Sequence, residues 1–309
     1  MRRNFLILLI GVIVLAPVPF LADAYVLRLG TTALMYVSLS LAWNMIGGFA
    51  GYPSFGMAAF FGLGAYASGI LQVKGFAGPV GWIAAGIVGL AFALALGAVV
   101  LRLRGHAFAI ATLVVAEVMK EITNAWNSLT GGGMGLNMPY QKIDPISGAR
   151  IYFYAMLVCA AVALVATILV AGSKLGFALR TIKQNEDAAS MVGVNTTNAK
   201  VIAFALSGAF GALVGGVYAS WINFIEPADV YDPLFSIKPI VMVLLGGTGT
   251  VFGPVLGAAA FLLLDEIVWR NFLETHTGIL GLVIVLLILF LPKGLGSLAW
   301  PRLLQRSER

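Results

Sequence analysis

K-L-G-F-A-L-R-T-I-K-Q-N-E-D-A-A-S-M-V-G-V-N-T-T-N-A-K, residues 174–200, separates two apolar runs at 151–171 and 201–224, and this contrast decides the class of fold. Each run reaches the roughly 20 apolar residues that a helix needs to cross a hydrocarbon core of about 30 Å. The segment between them is polar and carries helix punctuation. Asn185 is suited to cap a short helix beginning at Glu186 and Asp187, whose carboxylates suit the positive end of the helix dipole. Gly193 supplies the stop. The seven residues between cap and stop make about 10 Å of helix, too short to span anything and marginal alone. Ala188, Ala189, Met191 and Val192 give it a small apolar knob, shaped to dock in a partner's socket. The plainer alternative is an interhelical loop held at a lipid surface by Lys174, Arg180, Lys183 and Lys200.

Composition extends the membrane reading to the whole chain. Of 309 residues, 60% are hydrophobic and only 10% charged, more apolar than a soluble core of this length requires. The 37 glycines suit close helix packing and broken helices in lipid. The formal charge of +6 is carried largely in short turns between apolar runs, which makes it a topology signal and not a nucleic-acid surface. Cys159 is the sole cysteine, so neither an intrachain disulfide nor a cysteine metal centre is available. His106 and His276 fall at opposite faces and read as interfacial; no metal or cofactor is expected.

The N-terminal run 5–21 follows M-R-R-N and mimics a signal peptide, with Ala22-Asp23-Ala24 resembling a cleavage site. An uncleaved first helix is the expectation. Further crossings are predicted at 26–46, 55–73, 82–101, 107–124, 151–171, 201–224, 237–247, 251–268 and 278–291. This is an all-α polytopic bundle of about ten crossings, forming one domain over 1–309, with both termini and 174–200 inside. Twelve of the 19 lysines and arginines then lie inside, the bias expected of an inner-membrane protein. Eight full spans with two re-entrant segments is the alternative, because 237–247 is short. The connection 125–150, with T-G-G-G-M-G at 130–135, is long for a bundle loop.

Two glycine-rich breaks invite comparison. W-N-M-I-G-G-F-A-G-Y-P-S-F-G-M-A-A-F (43–60) and L-G-G-T-G-T-V-F-G-P-V-L-G-A-A-A-F (245–261) both run from a Gly-Gly pair to Ala-Ala-Phe. Interrupted segments in matching halves point to a pathway, since freed backbone groups at membrane depth must face protein or water. Ordinary Gly-Ala packing is the competing reading.

Enzyme signatures are missing from the sequence. G-G-T-G-T-V-F-G (246–253) lacks the lysine of a phosphate loop, and no H-E-x-x-H, paired-cysteine or G-x-S-x-G pattern occurs. The chain is therefore not expected to hydrolyse ATP. Glu117, Lys120 and Glu121 share one helix face, either as an ion relay or as a snorkelling pair near an outer helix end. Asp265 and Glu266 also read as interfacial. With so few central charges, energy is expected to enter through 174–200.

Five blocks carry a resemblance: G-Y-P-S-F-G-M-A-A-F-F-G-L-G-A-Y (51–66); R-L-R-G-H-A-F-A-I-A-T-L (102–113) with Glu117 and T-G-G-G-M-G-L (130–136); G-F-A-L-R-T-I-K-Q-N-E-D-A-A-S-M-V-G-V-N (176–195); L-L-G-G-T-G-T-V-F-G-P-V-L-G-A (244–258); and L-F-L-P-K-G-L (289–295). In this order they resemble the LivM-type permease subunit of bacterial branched-chain amino acid ABC importers. The resemblance implies a second related permease, two cytoplasmic ATP-binding subunits, an external substrate-binding protein and surrounding membrane lipid, with no nucleic acid. D-A-A-x-x-x-G at 187–193 is similar to the E-A-A-x-x-x-G loop that engages the ATPases. The implied coupling set is Arg180, Glu186, Asp187, Ala188, Ala189, Met191 and Gly193, with the contacting acid left open between Glu186 and Asp187. Candidates for the translocation route, under alternating access, are Tyr52, Pro53, Ser54, Phe55, Gly247, Thr248 and Gly249. Met57 departs from the polar residue often found at its place. Related permeases for urea or short amides have similar blocks, and a stand-alone channel or secondary carrier is the reading from another class.

Overall fold

The computed structural model describes residues 2–139 and 144–271, with isolated positions 278, 281, 282, 285, 294 and 295. Lys142, His276, the basic tail and most of the expected last span and of the 289–295 block lie outside the described residues. The helices are α1 (Arg2–Leu15), α2 (Val18–Leu21), α3 (Ala24–Trp43), α4 (Met57–Val73), α5 (Gly78–Val100), α6 (His106–Ala125), α7 (Asn127–Thr130), α8 (Pro145–Ala171), α9 (Lys174–Gln184), α10 (Glu186–Met191), α11 (Thr196–Ile222), α12 (Pro227–Val230), α13 (Leu234–Gly246) and α14 (Gly253–Asn271). Among the described residues five stretches are long and apolar enough to cross a membrane: Arg3–Leu21, Ala24–Gly48, Gly78–Val100, Pro145–Ala171 and Thr196–Ile222.

Polar residues at the connections start these helices. Asp23, Asp144, Ser173, Asn185 and Asn195 each accept a hydrogen bond from a backbone N–H in the first turn of the following helix. Each bond satisfies a donor that the helix cannot satisfy itself. Between the caps the helices are apolar, and their packing depends on small residues. Helix α11 lies against α4 and α5. Where it crosses α4, a Cβ on Gly64 would overlap the Ala212 backbone, and one on Gly215 would overlap the Phe61 carbonyl. Without a strong hydrophobic force between helices in lipid, such backbone contact supplies the dispersion that holds them. Phe61 stacks on Phe235 at 4.1 Å between ring centroids, tying α4 to α13.

Three expectations change. The 125–150 connection is not an open polar loop: it holds α7, a tight 3₁₀ turn at Gly132–Met134 and strand β1 (Leu136–Asn137). That strand pairs antiparallel with β2 (Phe224–Ile225), Leu136 opposite Ile225, a two-residue ladder not anticipated in a bundle that is all-α as expected. The helix predicted from 55 begins at Met57, because the backbone groups of Ser54 and Phe55 are engaged elsewhere. Met57 itself is buried, and its Sδ lies against Gly211 of α11.

Candidate coupling site at the two breaks

Helix α9 is amphipathic. Gly176, Leu179 and Ile182 recur at a spacing of three and are buried against the bundle. Arg180 is exposed and donates to the Ala171 carbonyl at 2.7 Å, which sets a cation at the negative end of α8. The chain then turns at Asn185, whose φ of −162° breaks the helix and whose side chain accepts from Ala188 N–H to begin α10. Gly193, at φ +86°, closes α10 in the left-handed region that favours glycine. The expected apolar knob is divided by this rotation. Ala188 and Met191 face outward, with Met191 86% exposed, whereas Ala189 is fully buried against the bundle and is not available to a partner.

Beneath α10 lies an ionic cluster that the sequence did not expose. The alternative of a loop anchored at the lipid surface places Lys200 there, yet its side chain is only 4% exposed. Its ammonium donates to Glu186 Oε1 at 2.6 Å, to the Tyr52 hydroxyl at 3.0 Å and to the Leu101 carbonyl at 3.2 Å. Those acceptors use all three donors of the ammonium. Lys200 Nζ also sits 4.6 Å above the Tyr52 ring, which Phe108 meets edge-on at 5.4 Å. The Tyr52 hydroxyl donates in turn to Glu186 Oε2. Outside this core, Arg104 holds Asp187 at 3.0 Å and reaches Glu186 at 3.7 Å. The two neighbouring acids thus divide their duties: Glu186 points into the bundle and Asp187 faces out.

The breaks meet at the same end of the molecule. Helix α3 ends in a π-helical turn, Asn44–Gly48, and Asn44 is fully buried. Its amide donates to the Thr250 carbonyl and accepts from Gly249 N–H, both at 2.9 Å, so one side chain joins both breaks. Lys183, on α9, donates to the Gly48 carbonyl at 2.9 Å. Other freed backbone groups also find protein partners. Trp43 donates to the Ser54 carbonyl at 2.7 Å, Phe55 N–H to Thr112 Oγ1 at 3.0 Å, and Ser236 Oγ to the Phe55 carbonyl at 2.6 Å. Ser54 is therefore buried in the packing, while Pro53 and Thr248 are exposed. Gly247 and Gly249 both have positive φ, +116° and +74°. Tyr52, first a candidate for the route, is also part of the cluster under α10.

These contacts set a polar arm, α9–α10, against both interruptions of a membrane bundle. The profile of a family described as "Branched-chain amino acid transport system / permease component" matches residues 25–291. The chain belongs to this permease family. Among relatives, the high-affinity branched-chain amino acid transport system permease protein LivM of Salmonella typhimurium (strain LT2) is 27% identical over 94% of this chain and 74% of its own. LivM of Escherichia coli (strain K12) is 27% identical over 96% and 76% respectively. The autoinducer 2 import system permease protein LsrC of Shigella flexneri is 28% identical over 74% of this chain and 68% of its own. No solved structure matches the chain. The protein is thus a multi-pass permease of the inner membrane, a transport subunit of the branched-chain amino acid ABC importer family and not an enzyme.

Two further ion pairs lie outside this cluster among the described residues. Lys120 pairs with Glu117 on an exposed face of α6, which fits the snorkelling reading better than a relay. Arg270 and the Tyr25 hydroxyl both bind Glu266 Oε1 at 2.6 Å, tying α14 to α3. Among the described residues no group of acids, histidines and cysteines is placed to hold a metal ion.

Burial alone would raise the Glu186 carboxyl, but the hydrogen bonds from Lys200 and Tyr52 and the charges of Lys200 and Arg104 outweigh it. Its pKa falls below the ordinary value. A carboxyl depressed on folding stabilises above its unfolded pKa, about 4.3, and loses that contribution as pH falls through its folded value. The protection factors of the α10 amides in the purified permease, exchange rates divided into the intrinsic rate at each pH, should accordingly be level from pH 8 to 5.5 and fall as the pH drops below about 4. A change centred near pH 6.5 would implicate another group.

Proposed function

We propose that this permease is one of two related membrane subunits of an ATP-driven importer for leucine, isoleucine and valine. In this reading the chain is a single domain, residues 1–309, of about ten crossings with both termini inside, and residues 174–200 form its cytoplasmic coupling loop. One of two ATP-binding subunits docks on the exposed side of α10, presented by Asp187, Ala188 and Met191, with Arg180 and Gly193 fixing the arm, and the other engages the second permease. Closure of the ATPase dimer moves the arm, the bundle rocks outward, and an external binding protein delivers the amino acid. Hydrolysis restores the inward state.

The observation carrying this reading is the family match across residues 25–291. Its substrate part leans on coverage. LivM aligns over 94% of this chain and LsrC over 74% at nearly equal identity, so the branched-chain assignment takes in more of the sequence. A substrate with an aliphatic side chain suits a route of apolar wall and few polar contacts around Gly247, Thr248 and Gly249. Titrating the cognate binding protein with leucine, isoleucine, valine, urea and acetamide tests it. Micromolar binding of the three amino acids is expected, and selective binding of urea or an amide would overturn the assignment.

The docking part has its own test. Ala188 is exposed on a helix too short to deform, so Ala188→Arg places charge and bulk at the partner surface and leaves the permease interior untouched. Uptake should fall by at least tenfold, about 1.4 kcal/mol or more of coupling, while the variant reaches the membrane in normal amount. Parental uptake with parental recovery of the ATP-binding subunits would contradict docking at α10.

A further inference from the structure

The α9–α10 arm touches the interrupted segment 44–56 at two separated points, and neither contact is explained by docking a partner on its outer side. At one point Lys183 Nζ donates to the Gly48 carbonyl. The lysine stem lies along Gly51, where an added Cβ would come 3.0 Å from Lys183 Cγ. A Cβ on Gly249 would stand 3.4 Å from Lys183 Nζ and 2.8 Å from the Gly48 carbonyl. The ammonium therefore lies where the first break meets the second. At the other point Glu186 binds the Tyr52 hydroxyl, four residues beyond Gly48. The two anchors are only three positions apart on the arm but sit on either side of the Asn185 turn.

We propose that Lys183 and Glu186 act as a two-point latch, positioning residues that force the Asn44–Tyr52 portion of the first break to move with the arm and so open or shut the seam at Gly48 and Gly249. This rests on the coupling reading above and adds to it where the motion is delivered. A single anchor would let the break pivot about one bond. Two anchors fix both its position and its direction, since the seven residues from Ile46 to Tyr52 are gathered by a backbone bond from Tyr52 N–H to the Ile46 carbonyl at 3.3 Å. The paired amide bonds of Asn44 to Gly249 and Thr250 hold the seam shut in this arrangement and are the contacts that must part when it opens. Because a packed contact of this kind has discrete arrangements, a small shift of the arm is converted into exposure or closure of the seam. Lys183 needs only a donor at the end of a flexible stem, so arginine should serve in part.

The experiment follows the seam directly in the complete importer, in inside-out vesicles, with Cys159→Ala and Thr248→Cys in the permease. Thr248 is exposed beside Gly249 and reports access to a membrane-impermeant maleimide. The parent should show at least a fivefold difference in labelling rate between ATP-bound and nucleotide-free vesicles. Lys183→Met and Tyr52→Phe should each reduce that difference below twofold, and Lys183→Arg should keep more than half of it. Tyr52→Phe removes one hydroxyl and keeps the ring, so it decides the question even where Lys183→Met fails to assemble. Parental nucleotide response in both variants would overturn the latch. A labelling rate indifferent to nucleotide in the parent, in vesicles where the ATP-binding subunit is still contacted by α10, would overturn the latch and leave docking standing. Loss of that contact as well would remove the coupling reading with it.

Discussion

Lys200→Met should detach α10 from the bundle and cut uptake at least tenfold. The substitution leaves Glu186, 13% exposed, without the ammonium that holds Oε1 at 2.6 Å, and also removes the donor to Tyr52 and Leu101. Stripping one partner from a buried pair costs about 3–5 kcal/mol, because the surviving charge is left poorly solvated. Here Arg104 and water at the rim recover part of that, and the lower end of the range is expected. The cost can be separated from ordinary loss of packing. Glu186→Gln combined with Lys200→Met removes the stranded charge and should exchange α10 amides more slowly than Lys200→Met alone. A coupling of about 1–3 kcal/mol between the two sites is anticipated. If the two effects simply add, the cluster is not a unit and Lys200 acts only through its aliphatic stem.

Gly64→Leu is expected to have the larger effect on the folded bundle. Its Cβ would fall on the Ala212 backbone, where α4 and α11 cross and where no flexible side chain can give way. Overpacking a tight core costs about 1–3 kcal/mol and more when backbone must move. In a membrane bundle it also removes the close backbone contact that holds the two helices. The variant should lose monodisperse material on size-exclusion chromatography in detergent and melt well below the parent. Gly148→Ala, a site with nothing within 4 Å of an added Cβ, should behave as the parent does. Equal stability of the two variants would mean that the crossing is looser than described.

Much of the fold was legible because its signals are local. The length of an apolar run and the polar residue before it decide a crossing, and Ser173, Asn185 and Asn195 cap where a capping residue precedes a helix. Gly193 stops α10 for a reason that lies in one dihedral angle. The strand pair β1–β2 escaped because it joins residues far apart in the chain, with two residues on each side and no alternating pattern to read.

The site was legible only in pieces. Residues 174–200 and the breaks were both singled out, yet nothing local says that they touch. Lys200 was counted among the charges that orient the chain, since a lysine at the start of an apolar run resembles an anchor. Its partner Tyr52 is 148 positions away, and only packing reveals the pair. Lys183 and Arg104 are indeed exposed cations, and only the fold shows that they reach Gly48 and the Glu186–Asp187 pair. Asn44 carries a usable signal, an amide inside an apolar run three residues before Gly47 of a Gly-Gly pair, where an unsatisfied polar group would be costly. The division of labour between Glu186 and Asp187 depends on which way a six-residue helix faces, and that is set by the burial of Ala189.

If α10 is where the ATP-binding subunit takes hold, a cross-link from its exposed side will report the contact. With Cys159→Ala and Met191→Cys in the permease, a cysteine at the outermost side chain of α10 is offered to the co-expressed ATP-binding subunit. A short bifunctional maleimide should join the two chains one to one, with a yield that changes when ATP is bound. Intact, active importer in which Met191→Cys never joins the ATP-binding subunit, while a cysteine at exposed Leu103 does, would place the contact away from α10 and rule out docking there.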